Sequence, residues 1–110
     1  MKTDTLRLRL RVCDFAAPVF VTGPDNKVYA IDKVAGSINE PNAIIETADT
    51  RELVSMKAGE LYDVLAEFAP DADAEIFIRE GCGTFYFDVA NLRRHGTGYT
   101  LVLGAFRCGG

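Results

Sequence analysis

Ala58-Gly59-Glu60-Leu61-Tyr62-Asp63-Val64-Leu65-Ala66-Glu67-Phe68-Ala69-Pro70-Asp71-Ala72-Asp73 decides the fold class, because it joins a helix to a run of strands. Leu61, Val64, Leu65 and Phe68 recur at i, i+3, i+4 and i+7, which is one face of an α-helix. Ser55 or Lys57 stands near the N-cap. Glu60 falls in the first turn, where the helix dipole favours a negative charge. Pro70 has no N–H to continue the ladder, so it stops the helix, and Pro70-Asp71-Ala72-Asp73 is a turn. Glu75-Ile76-Phe77-Ile78-Arg79, Thr84-Phe85-Tyr86-Phe87-Asp88-Val89 and Tyr99-Thr100-Leu101-Val102-Leu103 then read as strands. Gly81-Cys82-Gly83 and His95-Gly96-Thr97-Gly98 punctuate them.

Toward the N-terminus the pattern changes period. Thr5 to Val12 alternates strictly, with Leu6, Leu8, Leu10 and Val12 on one side and Arg7, Arg9 and Arg11 on the other. That alternation predicts a half-buried strand carrying an arginine stripe on its outer face. Val19-Phe20-Val21-Thr22 is a second short strand and Gly23-Pro24-Asp25-Asn26 a dense turn signal. Lys27 to Val34 returns as a third strand, and Ala43 to Thr47 makes a fourth. Pro41 keeps the polar segment from Gly36 to Asn42 irregular, and Asp49 to Glu52 can begin one turn of helix.

These elements predict an α+β fold: one mainly antiparallel sheet of six or seven strands, with one helix covering a face. Residues 1–110 form a single domain. Phe15-Ala16-Ala17-Pro18 before Val19-Phe20-Val21 parallels Phe68-Ala69-Pro70 before Ile76-Phe77-Ile78. A duplication of 15–47 in 68–104 would explain it, with a one-residue slip in the middle strand. The expected core is Leu6, Leu8, Leu10, Phe20, Ile31, Ile44, Leu61, Val64, Leu65, Phe68, Ile76, Ile78, Leu101 and Leu103. An open sheet of this size leaves edges, which favours a homodimer through an edge or an aromatic face.

Composition narrows the function. With 110 residues, 48% hydrophobic and 25% charged, the chain can bury one core. No apolar run approaches the roughly 20 residues that cross a bilayer, and the start lacks a hydrophobic leader, so the cytoplasm is the expected compartment. A net charge of −4 argues against general nucleic-acid affinity, which needs clustered cations. Three cysteines without a C-x-x-C pair, and one histidine, make neither a zinc pattern nor a disulfide framework. No metal or cofactor is expected.

From Lys57 to Leu103 the order of Ala58-Gly59-Glu60-Leu61, amphipathic helix, Phe68 to Ile76, glycine turn and aromatic strand resembles many small proteins encoded by phages and other mobile elements. The resemblance implies an accessory protein without an active-site signature. Anti-defence proteins of that size act by binding a host complex.

Side-chain chemistry points the same way. The arginine stripe of Arg7, Arg9 and Arg11 can grip carboxylates bidentately, or can pair with Asp32, Glu46 or Asp88 on neighbouring strands. Phe85 and Phe87 share one face of their strand and Tyr86 takes the other, so with Tyr29 an exposed aromatic pair becomes available as an interface anchor. Cys82 and His95 on adjacent loops lack an orienting third group, and Cys13 reads as a small core residue. The glycine turns precede no helix, so they are not phosphate loops. Arg93-Arg94-His95 is a small solvated cluster, while Asp71, Asp73, Glu75 and Asp25 suit turns better than a calcium loop. The expectation is a non-catalytic protein-binding protein of a mobile element, conceivably inhibiting a host defence complex, with contacts at Arg7, Arg9, Arg11, Tyr29 and Tyr86. The alternative is a small-ligand binder with its site between helix and sheet or at a dimer seam.

Overall fold

Backbone pairing closes the sheet on itself. In the computed structural model, which describes residues 1–36, 41–81 and 83–107, six strands pair in chain order to form a closed barrel. They are β1 (Val19–Thr22), β2 (Val28–Gly36), β3 (Ala43–Asp49), β4 (Ala74–Glu80), β5 (Gly83–His95) and β6 (Gly98–Arg107). Neighbours within β1–β2–β3 and within β4–β5–β6 are antiparallel, whereas β3–β4 and β6–β1 are parallel seams. Two helices complete the fold, α1 (Thr3–Leu10) and α2 (Ala58–Leu65).

The expected sheet under one covering helix is therefore corrected to a six-stranded barrel with two short helices. The physical reason lies in the two parallel seams, which bond each meander's outer strands to the other meander. A parallel step needs a long crossover, and residues 50–73, α2 among them, supply it between β3 and β4. Closure removes the open edges that one of the two expected routes to a homodimer required, and leaves the route through an aromatic face untouched.

Residues Thr5 to Val12 are the second correction: they lie in α1 and the turn after it, not in a strand. Thr3, Leu6 and Leu10 are its buried residues, at helical spacing, while Leu8 is 63% exposed. Leucine and arginine are both strong helix formers, so the alternation carried no β preference of its own. With the barrel closed, no edge is left to pair with, and a helix satisfies its own hydrogen bonds. Asp4 in the first turn and Arg7 and Arg9 in the last also suit the helix dipole.

Helix α2 begins at Ala58, where the Lys57 N–H donates to Glu60 Oε1 at 3.0 Å. It ends at Leu65, before Pro70, so Phe68 lies in the turn that follows. Strand β5 runs on to His95, placing Arg93, Arg94 and His95 in a strand instead of a loop.

The two halves share one bonding pattern. The Thr3 N–H donates to the Ala72 carbonyl as the Ala58 N–H does to Ala17, and Ala74 N–H to Met1 matches Val19 N–H to Met56. Asp4 to Pro70 corresponds to Gly59 to Phe15, so Phe15 takes the place of Pro70, not of Phe68 as the shared Phe-Ala motif suggested. The middle strands slip register at matching places, between Ile31 and Lys33 and between Val89 and Asn91. Both helices consequently sit at the barrel end where β1 and β4 begin, with Leu6, Leu10, Leu61 and Leu65 fully buried against it.

Inside the barrel Val21 lies opposite Tyr29 and Leu101, and Ile76 opposite Ile45 and Phe87. Ile31, Ile76, Ile78 and Leu101 are buried as expected. Phe20, Ile44, Val64, Phe68 and Leu103 are only half-buried, and Leu8 leaves the core altogether. Phe20 alternates with the fully buried Val19 and Val21, so the pleat turns it outward.

Candidate functional site: the α1–α2 face

The helical face brings cationic, aromatic and apolar side chains together. A shallow groove of about 260 Å³ is lined by Asp4, Arg7, Leu8 and Arg11 of the α1 segment and by Tyr62 of α2. The spacing of the first four is one helical stripe, which the strand reading had split between two faces. Arg7 is held on the floor: its guanidinium carbon lies 4.2 Å from the Tyr62 ring centroid, and its Nε donates to the Tyr62 carbonyl at 3.0 Å. Arg7 and Tyr62 occupy equivalent positions in the two helices, so this stacked pair marks the local axis that relates them. Phe15 also packs on the Tyr62 ring, tilted by 33° with centroids 5.2 Å apart.

Arg9 diverges from the stripe and donates from Nη1 to Asn91 Oδ1 at 2.7 Å on β5. Arg11, the C-cap residue of α1, is exposed. None of the three arginines forms an ion pair with a described residue. Of the acids expected to neutralise them, Glu46 instead faces Lys33 at 3.9 Å. Beside them Leu8 and Val12 stand 63% and 88% exposed, so the face combines cations with apolar surface. The expected group of Arg7, Arg9 and Arg11 is thus brought together on one helix, in a fan and not in a row.

The two tyrosines do not form an exposed pair. Tyr29 points into the barrel at 3% exposure, since its register partner Val21 is an inward residue. Its hydroxyl has no hydrogen-bond partner in good geometry among the described residues. Burial, and then the negative charges of Glu80, Asp49 and Asp25, push its pKa above the usual tyrosine value. Tyr86 faces outward but packs on Phe77, with ring centroids 5.1 Å apart, and is half-buried. Phe85 and Phe87 share the opposite face, as the pleat requires, and both rings contact Phe106, which is 55% exposed. That phenylalanine cluster at the helix-free end was missed. Its only sequence signal was the Phe-x-Phe spacing, because Phe106 lay beyond the last expected strand.

Cys82 lies outside the described residues, as do Cys108 and residues 37–40 of the polar segment. His95 is exposed at the end of β5, edge-on to Phe20. Cys13 is half-buried and donates to the Arg9 carbonyl at 3.4 Å. Burial raises its thiol pKa, against the opposing effects of Tyr99 and Arg94, so it is held in the unreactive thiol form. Asp49 is clamped bidentately by Arg51, with its Oδ2 2.8 Å from Nη2, which lowers its pKa. Among the described residues no three His, Cys, Asp or Glu side chains converge to hold a metal, and no helix is long and apolar enough to cross a membrane.

Comparison with protein-family models, curated proteins and solved structures found no match for this chain.

Proposed function

We propose that this chain is a non-catalytic protein-binding module that engages its partner through the α1–α2 face. The observation that carries the reading is one helical segment with three arginines, none of them ion-paired with a described residue, beside exposed Leu8 and Val12, on a protein whose net charge is −4. Desolvated arginines and apolar anchors are what interface centres use, whereas an arginine serving only solubility needs no apolar neighbours. The complementary surface is acidic. Under the resemblance carried by Lys57 to Leu103, such a partner would belong to a host defence complex.

Arg11 offers the clean test, because Arg7 also supports the helix pair through Tyr62. Arg11→Glu should lower partner retention about tenfold or more in quantitative affinity capture, with the melting temperature unchanged. Arg79→Glu, on β4 and beside Phe77, should have no such effect. The loss should shrink as salt rises, since exposed charges are screened over about 8–10 Å at physiological ionic strength. Equal retention by wild type and Arg11→Glu would remove this face from the function.

A second reading, a small-ligand site at the helix-free end of the barrel, is favoured by the buried Tyr29 hydroxyl, which has no hydrogen-bond partner in good geometry among the described residues. If nothing binds there, Tyr29→Phe should stabilise the fold by about 1 kcal/mol, since an unpaired buried hydroxyl costs more than it returns. The pH sign follows from the raised pKa. The folded state disfavours tyrosinate, so this contribution to stability is intact below the unfolded value near 10 and is lost as pH rises through the folded value. Tyr29→Phe should therefore also soften the alkaline loss of stability seen by denaturant titration. A compound that raises the melting temperature of the wild type and not of Tyr29→Phe would support the ligand reading.

A further inference from the structure

The helix-free mouth of the barrel joins aromatic rings to negative charge. Ile76, Ile78 and Glu80 alternate along the inward side of β4, and the register pairs Ile78 with Phe85 and Glu80 with Gly83. Glu80, Phe85 and Phe87 therefore share one face, and Phe106, the partner of Phe87, joins them. The Phe85 and Phe87 rings stand at 51° and 64° to Phe106, with centroids 6.0 and 5.5 Å away, so the three form an angled wall. Phe106 is 55% exposed on it. Tyr29 enters from β2, and the charges acting on its buried hydroxyl are those of Glu80, Asp49 and Asp25. Asp49 is already clamped by Arg51, whereas Glu80 forms no ion pair with a described residue. Two glycines keep room for the rings: a Cβ at Gly83 would lie 2.9 Å from Phe85 Cζ, and one at Gly23 2.6 Å from Tyr29 Cε2. The rim already seats one ammonium on a ring, since Lys27 Nζ lies 5.0 Å from the Tyr29 centroid.

We propose that this mouth binds a small organic cation, an alkylated ammonium group seated against Phe85, Phe87 and Phe106 with Glu80 as its counter-charge. The proposal rests on the reading of the helix-free end as a ligand site and names the class of its ligand. An aromatic ring carries negative charge on its face, so angled rings attract a cation and bury its methyl groups at once. A compact, strongly hydrated cation gives up more water to enter such a wall, and an anion meets Glu80 and Asp25. A neutral ring stacks on Phe106 but leaves Glu80 without a role. A polar group beside the ammonium can supply the partner that the Tyr29 hydroxyl lacks in good geometry among the described residues. Lys27 competes for the same negative charge, so its removal should favour the ligand.

The test is calorimetric titration of the full chain with choline and with 3,3-dimethylbutan-1-ol, which has the same shape without the charge. Choline should bind about tenfold or more tightly than the alcohol. Phe106→Leu, which keeps apolar bulk and removes the ring, should weaken choline about tenfold, and Glu80→Gln should do the same. Lys27→Met should tighten it. Both Phe106 and Glu80 are exposed, and circular dichroism checks that the variants fold. The comparison of the two probes on the wild type needs no variant, so it decides even where one misfolds. Choline bound no more tightly than the alcohol, or a folded Phe106→Leu that binds choline as the wild type does, overturns the inference. If both probes bind equally and Phe106→Leu abolishes both, a ligand site remains at this end and only its preference for a cation fails. If neither probe binds, and no compound separates the melting temperatures of the wild type and Tyr29→Phe, the ligand reading fails with it.

Discussion

Leu65→Ala should lower the free energy of unfolding by about 2–5 kcal/mol, the range for deleting a fully buried leucine. Leu65 is 0% exposed, in the cluster where α2 meets the barrel end, and its equivalent in α1, Leu10, is also 0% exposed. The cost has two parts: the transfer of the lost methyl groups back to water, and the cavity between helix and strands that β-sheet hydrogen bonds keep from collapsing. Leu10→Ala should fall in the same range, because it fills the matching site in the other half. Leu8→Ala should stay within about 0.5 kcal/mol, since a side chain 63% exposed has little burial to lose. Urea denaturation of the three variants reads this directly. Comparable losses for Leu8 and Leu10 would restore the strand assignment of this segment, because in a strand both side chains face the same way.

Gly98→Ala should cost about 1–3 kcal/mol, through crowding instead of a cavity. Gly98 opens β6 next to the parallel seam with β1, where the Tyr99 N–H donates to the Pro18 carbonyl at 3.0 Å. A Cβ at Gly98 would overlap that carbonyl oxygen and touch the proline ring at 3.0 Å from Cγ and 3.2 Å from Cδ. Neither neighbour can swing aside, since one is backbone and the other a closed ring, so the seam itself has to open. Gly96 is the control, two residues away. Its φ of +58° strains any side chain, yet a Cβ there meets open space. Gly96→Ala should cost about 1 kcal/mol, from backbone strain alone. Thermal unfolding of the pair separates the two mechanisms. A Gly98→Ala variant as stable as the wild type would mean that β1 and β6 are not pressed together at this point.

Much of the secondary structure was legible because its signals are local. The spacing of Leu61 and Leu65, the Glu60 carboxylate on the Lys57 N–H, and the glycine and proline turns around β1, β2 and β4 each act within a few residues. That Phe85 and Phe87 share one face and Tyr86 takes the other follows from the pleat alone. The segment Thr5 to Val12 failed for the same local reason. Alternating leucine and arginine fits either period, and only the absence of a free strand edge selects the helix.

The arginines, the aromatic residues and the acidic balance were determined by the sequence itself, and the proposal of a binding role starts from them. What the tertiary structure alone decided is how those groups are grouped. Parallel pairing of β1 with β6 and of β3 with β4 joins strands distant in the chain, and no short-range pattern encodes such contacts. That closure turned Tyr29 inward, gathered Phe85, Phe87 and Phe106 at one end, and set α1 beside α2 at the other. The opposed charges of Arg11 and of Asp63 and Glu67 lie far apart in the sequence. They become one surface only because both helices must bury their leucines against the same end of the barrel.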